Sequence, residues 1–241
     1  MASDAPHTRP TGDAWWLKNL PHIASDLNER KFVVIDEFMG REHFAKLRAA
    51  AITFGSHTPA PPLFDILAKA TSELIAGIQR LDMIAELEAT RYISCALTRL
   101  VPGIAQARHV DNPGGRGTAR LTMTYYMQDE SWNVATCGGC LRIFRPGQQS
   151  ESAPAADGDP PPTAASASLC EADDVLATMA PIGDRLVVFF SDDRCPHAVL
   201  PVAEGAPSRY TSVLFYGEID YEPESENEEE ITRAEWSVDF T

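Results

Sequence analysis

The spacing of apolar residues changes character near residue 90. Before it, the period is helical. Between Glu42 and Phe54, the residues Phe44, Leu47, Ala50, Ala51 and Phe54 fall three and four apart, as on one stripe of a helix. From Leu63 to Leu87 the same steps join Ile66, Leu67, Ala70, Leu74, Ile75, Ile78 and Leu81, with Met83 to Leu87 as a second short helix. Trp15, Trp16, Leu17 and Leu20 are apolar anchors that mark the start of ordered structure. One strand, Lys31 to Asp36, lies among these helices, broken by Gly40, and residues 55–62 are a loop by composition.

From Tyr92 onward the pattern is strands and turns. Tyr92 to Val101, Ala105 to Val110, Arg120 to Met127, Cys140 to Phe144, Val175 to Ala180, Arg185 to Phe190, Ala198 to Val202 and Arg209 to Tyr216 read as strands. Strands in one run after helices predict a mainly β fold with N-terminal helices (α+β): a jelly-roll of two facing sheets buttressed by helices. Residues 1–14 read as a loose N-terminus, 15–217 as one domain (buttress 15–89, β core 90–217), and 218–241 as a solvated acidic tail. Within the domain, 146–168 is a Pro-, Ala- and Ser-rich insert that reads as a mobile surface loop, and Ile231 to Trp236 as a short helix or strand.

Composition narrows the function. The chain has 241 residues, 44% of them apolar, enough for one sizeable core. With 35 acids against 20 bases its net charge is −15, and no basic stripe of a nucleic-acid binder is visible. No apolar run approaches the eighteen or so residues of a membrane span. Five cysteines, at 95, 137, 140, 170 and 195, have irregular spacing and predict a reduced protein of cytoplasm or nucleus.

The candidate chemistry centres on Arg108-His109-Val110-Asp111-Asn112-Pro113. On an extended strand, His109 and Asp111 would point to the same face. His197, which follows an apolar strand and the turn Ser191-Asp192-Asp193-Arg194-Cys195-Pro196, would complete two imidazoles and a carboxylate. That donor set occupies one face of an octahedron and suits non-haem Fe(II) with open positions for a cosubstrate and oxygen. Arg209, at the start of a strand, is a candidate anchor for a carboxylate, or else a surface ion pair; strand parity alone does not decide. Tyr126 shares a face with Thr124, Thr122 and Arg120, either in a polar pocket or as a buried core tyrosine. His7, His22, His43 and His57 read as surface residues, Cys137-Gly-Gly-Cys140 as a tight turn rather than a redox or zinc motif, and Cys195 as a thiol open to oxidation.

In order, His109-Val-Asp-Asn-Pro113, Tyr125-Tyr126, Gly138-Gly-Cys-Leu-Arg-Ile-Phe144, Asp184-Arg-Leu-Val-Val-Phe-Phe-Ser-Asp192, Pro196-His197 and Arg209-Tyr210 resemble the 2-oxoglutarate-dependent prolyl 4-hydroxylases that act on hypoxia-inducible factor. They are also similar to protist enzymes that hydroxylate a proline of the adaptor subunit of SCF ubiquitin ligases. The likeness covers roughly residues 90–217. It implies a double-stranded β-helix, with Fe(II) held by His109, Asp111 and His197. It further implies 2-oxoglutarate on the metal with its far carboxylate at Arg209 and Tyr126, and Leu141, Val213 and Thr124 along the pocket. O2 and L-ascorbate would be the other cofactors, succinate and CO2 the coproducts, and a proline-bearing protein the partner of a monomeric enzyme that would serve as an oxygen sensor. The sequence departs from the family at Val101-Pro-Gly103, where Tyr-Pro-Gly is usual, and at Val213 and Phe215, where hypoxia-factor enzymes have Thr and Trp. The finger loop that covers substrate is not apparent, and the 146–168 insert is longer than usual. Rival readings are a hydroxylase of another residue, such as a ribosomal-protein proline, and a non-catalytic β-helix binding module.

Overall fold

The computed structural model describes residues 15–147 and 174–218. The expectations for 1–14, for the insert from 148 on, for the tail from 219 on and for Ile231 to Trp236 lie outside these residues.

The chain opens with helix α1 (Trp15–Arg30), followed by β1 (Phe32–Ile35), α2 (Arg41–Phe54) and α3 (Asp65–Arg80). In α1, Leu20, Ile23, Ala24 and Leu27 form a stripe at steps of three, one and three, and all are buried. The sequence reading saw anchors here but no helix, because Pro21 stands inside it and proline usually marks a helix boundary. Tertiary packing carries the helix through: Gly77 of α3 lets the Leu20 side chain approach so closely that a Cβ at 77 would sit 2.7 Å from it. α3 stops at Arg80, and the second short helix expected at Met83 to Leu87 is a single 3-10 turn, Ala85–Leu87; Asp82, at φ +51°, takes the chain out of helical geometry between them.

Eight strands follow: β2 (Arg91–Leu100), β3 (Gln106–His109), β4 (Ala119–Tyr126), β5 (Leu141–Phe144), β6 (Val175–Met179), β7 (Leu186–Phe190), β8 (His197–Val199) and β9 (Arg209–Gly217), with a one-turn helix α4 (Val134–Cys137) between β4 and β5. They form two antiparallel sheets, β1-β7-β4-β9-β2 and β3-β8-β5-β6. The chain passes repeatedly from one sheet to the other, the winding of a double-stranded β-helix. The expected eight core strands are therefore all present, with β8 shorter than the 198–202 read from sequence.

Strand parity separates the two faces of the larger sheet. On β4, Leu121, Met123 and Tyr125 are fully buried in the apolar core, which also holds α1, α2 and α3. Tyr216 of β9 points the same way and hydrogen-bonds Thr71 Oγ1 (2.7 Å) and Ser72 Oγ (2.9 Å) of α3. The intervening residues, Thr122, Thr124 and Tyr126, face the smaller sheet. A buried carboxylate fastens helix to sheet: Asp184 accepts from the backbone N–H of Met39 (2.8 Å) and Gly40 (2.9 Å) and from the Tyr125 hydroxyl (2.8 Å).

Candidate active site

His109 and His197 stand directly opposite one another on β3 and β8, so the ladder itself brings the distant imidazoles together. Their ring centroids are 4.3 Å apart, and Phe189 packs against His197 edge-on at 4.7 Å. Asp111, just past the end of β3, places Oδ1 3.4 Å from His109 Nε2 and 3.7 Å from His197 Nε2. One donor atom from each of the three lies within 4.8 Å of the others. The side chain of His197 is buried and that of His109 is 40% exposed, so the group is approached from the His109 side.

The surroundings point all three donors inward. His109 Nδ1 lies 2.8 Å from the Ala107 carbonyl and His197 Nδ1 3.0 Å from the Cys195 carbonyl. A carbonyl can only accept, so each Nδ1 carries the proton and each Nε2 offers a lone pair to the centre. Thr122 Oγ1 donates to Asp111 Oδ2 at 2.6 Å and is in turn 2.9 Å from Ser191 Oγ. That chain of hydroxyls orients the carboxylate and leaves Oδ1 free. Burial pushes the Asp111 carboxyl up, but in the metal-free chain a protonated His109, the charge of a protonated His197 and the Thr122 hydroxyl outweigh it and hold the group below the usual range. Burial keeps His197 below the ordinary imidazole value. Burial acts the same way on His109, but its contacts with Asp111 and the Ala107 carbonyl lift it above that value. An ionised carboxylate between imidazoles is a donor set for a hard or borderline divalent cation, with no thiolate to favour closed tetrahedral zinc.

Across the space between the sheets, β9 of the larger sheet holds a buried cation. Arg209 is 5% exposed and has no ion-pair partner among the described residues. Its Nη1 donates to Thr211 Oγ1 (3.0 Å), its guanidinium lies over the Tyr126 ring at 4.9 Å, and its Nε has no partner. The Tyr126 hydroxyl is buried beside the Arg209 guanidinium and has no well-formed hydrogen-bond partner among the described residues. Burial pulls the guanidinium below its usual value, the cost of a charge held without a counter-ion. The surface ion-pair alternative for Arg209 is thus excluded, and Tyr126 is fully buried with the Arg209 guanidinium over its ring. Register gives the separation. Tyr126 pairs with Thr211, Thr124 with Val213 and Thr122 with Phe215, so the arginine end and the Asp111 end are about 13 Å apart along β4. A guanidinium and a phenol at the arginine end match one carboxylate.

The remaining expected site residues fall between these ends. Thr124 and Val213 are register partners on the cavity face, and Leu141 on β5 is buried beside Val199 of β8. Cys137-Gly-Gly-Cys140 ends the α4 helix at Cys137, bridges Val202 at Gly138 and leads through two positive-φ glycines into β5. Gly138 (φ +66°) leaves only 2.4 Å between a would-be Cβ and the Pro201 carbonyl, and Gly139 (φ +75°) gives way to Arg209 Cδ. His22, His43 and His57 are exposed, as read from sequence, while His7 lies outside the described residues. Cys195 corrects an expectation: its thiol is buried, contacts the Lys31 carbonyl and is pushed up to about 12, so it is shielded from oxidants. Sequence reasoning did not assign Ser191 or Gly139, and nothing local marked Ser191. Strand parity had put Thr211 on whichever face Arg209 takes, and the two do meet there.

Comparison with known proteins agrees with this geometry. Residues 95–217 match the profile of the 2OG-Fe(II) oxygenase superfamily. Human prolyl hydroxylase EGLN3 is 30% identical over 154 residues, covering 61% of this chain and 52% of that protein. The hypoxia-inducible factor prolyl hydroxylase of Caenorhabditis elegans is 27% identical over 229 residues, 81% of this chain but 28% of that protein. The chain thus spans about half the length of the human relative. Among solved structures, a Trichoplax adhaerens prolyl hydroxylase in complex with a hypoxia-inducible factor peptide superposes with a TM-score of 0.60 at 20% identity, over 86% of this chain and 94% of that one. A Pseudomonas putida prolyl-4-hydroxylase gives 0.60 at 18% identity, over 83% and 99%.

Proposed function

We propose that this chain, which belongs to the 2OG-Fe(II) oxygenase superfamily, hydroxylates a prolyl residue of a protein at the 4-position, with 2-oxoglutarate and O2 consumed and succinate and CO2 released. The observation that carries the reading is the pairing, in the space between the two sheets, of a two-His-one-Asp centre with a buried arginine that lacks a counter-ion among the described residues. In this reading His109, Asp111 and His197 hold Fe(II), and Arg209 with Tyr126 grips the far carboxylate of 2-oxoglutarate. When bound, the iron and the 2-oxo acid supply the oxidising chemistry. The chain supplies the rest. The hydroxyls of Ser191 and Thr122 keep Asp111 oriented and ionised. The Ala107 and Cys195 carbonyls fix both imidazole tautomers. Leu141, Val213 and Thr124 close the sides of the pocket against water, and the exposed edge of His109 leaves the way in for a peptide.

The resemblance to the prolyl hydroxylases singles out proline over other residues, and the paired relatives named above support it. Oxygen sensing, a requirement for ascorbate, residence in cytoplasm or nucleus and a hypoxia-factor-like or SCF-adaptor target are parts of the same proposal. The four described cysteines are all unpaired, which suits a reducing compartment. The test is incubation of the full chain with Fe(II), 2-oxoglutarate and proline-containing peptides in air, with product mapping by mass spectrometry. We expect 4-hydroxyproline and an equal amount of succinate. Oxygen added only to residues other than proline would overturn the assignment.

A further inference from the structure

We infer that Trp132 is a positioning residue for 2-oxoglutarate: acting through the Gly138–Gly139 peptide, it holds the Arg209 side chain in place for the far carboxylate. The inference rests on the proposed function and deepens it. Its starting point is how lightly Arg209 is held by polar contacts. The guanidinium is buried without a carboxylate partner among the described residues. It donates from Nη1 to Thr211 Oγ1 (3.0 Å) and lies over the Tyr126 ring, while Nε has no partner. A long cationic side chain has much rotamer freedom to lose when it is fixed. Packing along its stem must therefore do most of the holding.

That packing converges on Gly139. The point where a Cβ on Gly139 would sit is 3.1 Å from Arg209 Cδ, 3.4 Å from Trp132 Cζ2 and 3.5 Å from Val202 Cγ2. The arginine stem, an indole edge and a valine methyl thus meet around one methyl-sized space that only glycine leaves open. The peptide on the N-terminal side of Gly139 is pinned at both of its polar ends. Gly139 N–H donates to the Pro201 carbonyl (2.9 Å), and the Gly138 carbonyl accepts from Trp132 Nε1 (3.3 Å). The first bond is between backbone groups. The second depends on the indole.

Gly138 and Gly139 both have positive φ, and glycine moves between the two halves of φ space at little cost. A wall made of two glycines keeps its shape only while its carbonyls and N–H groups are held. Trp132 is itself well anchored for this task. Its backbone N–H donates to the Asp129 carbonyl (2.9 Å), and the Asp129 carboxylate pairs with Arg48 of α2 (2.9 Å). Asn133, next in the chain, caps α4 by accepting from the Ala135 N–H (2.9 Å). Among the described residues, no hydrogen bond or ring contact joins Trp132 to His109, Asp111 or His197. The metal end should therefore not feel its loss.

The experiment is an oxygen-free calorimetric titration of the full chain, first with Fe(II) and then, at saturating Fe(II), with 2-oxoglutarate. Steady-state kinetics with a proline peptide in air accompany it. Trp132→Phe keeps an aromatic ring but has no N–H and a shorter reach. Its 2-oxoglutarate affinity should fall roughly 3- to 10-fold, the scale of one lost hydrogen bond. Fe(II) affinity should be unchanged, and the KM for 2-oxoglutarate should rise in step while kcat changes far less. Added to Arg209→Leu, Trp132→Phe should have no further effect, because the indole acts through the arginine. Gly139→Ala, which sets a methyl against Arg209 Cδ, should reproduce the pattern of Trp132→Phe. Wild-type 2-oxoglutarate affinity in both single variants would overturn this inference and leave the proposed function standing. An equal loss of Fe(II) affinity, or an additive loss in the double variant, would overturn the positioning role. A wild-type chain that binds Fe(II) but not 2-oxoglutarate would remove the proposed function as well.

Discussion

Replacing Thr122 by valine removes one oxygen and keeps the branched shape, on a strand where β-branched residues fit. The lost group is the 2.6 Å donor to Asp111 Oδ2, and Ser191 Oγ loses its neighbour at 2.9 Å. A hydrogen bond to a charged group contributes about 1.5–3 kcal/mol, which corresponds to roughly a 10- to 100-fold change in an equilibrium constant. The measured cost of removing an outer hydrogen bond from a metal ligand lies in the same range. The carboxylate, no longer held at one oxygen, is free to rotate and is less favoured in its ionised form. Fe(II) affinity of Thr122→Val should therefore fall by about 10- to 100-fold, read by anaerobic metal titration at fixed pH. 2-Oxoglutarate affinity at saturating metal should barely move, because Arg209 is untouched. Wild-type Fe(II) affinity in the variant would refute the reasoning, because it would mean that the hydroxyl chain does not orient Asp111.

Other perturbations separate binding from stability. Arg209→Leu should raise the 2-oxoglutarate requirement by about 100-fold or more, the scale of truncating one side of a buried charge pair. The same change should leave the ligand-free chain as stable or more so, because it removes a buried cation without a counter-ion; a marked drop in Tm would contradict that account. Asp184→Ala should cost about 3 kcal/mol or more in denaturant unfolding, since three donors lose a charged acceptor in a buried place. Cys95 is buried beside Ser212 and pushed up to about 11 from 9.0. Between those values the unfolded chain loses this proton and the folded chain keeps it. Stability should be intact below about pH 9 and fall by about 3 kcal/mol as pH rises through 11. Cys95→Ala should flatten that slope, as followed by unfolding midpoints across alkaline pH.

Much of this site was legible before any coordinates. His109 and Asp111 are a short-range signal, and the strand run supplied the architecture that could bring His197 back to them. The direct His109–His197 pairing was not legible, because it depends on which strands of the smaller sheet lie together, and no local period encodes that. Arg209 was ambiguous for a related reason: both faces of β9 carry mixed residues, and only the register with β4 and the burial of Tyr126 decide which one lines the cavity. Helix α1 was hidden by Pro21, whose local penalty is overridden by the packing of Leu20 against Gly77. Cys195 was misread because exposure was inferred from a polar turn, whereas the thiol turns back to the Lys31 carbonyl.

The most direct test of the account is the release of succinate from 2-oxoglutarate by the Fe(II)-loaded full chain in air, set beside Asp111→Ala and a chelator-treated sample. The account requires succinate from the loaded chain, stimulated by a proline peptide that gains one oxygen, and none from the two controls. No succinate from the loaded chain, or the same yield from Asp111→Ala, would contradict it.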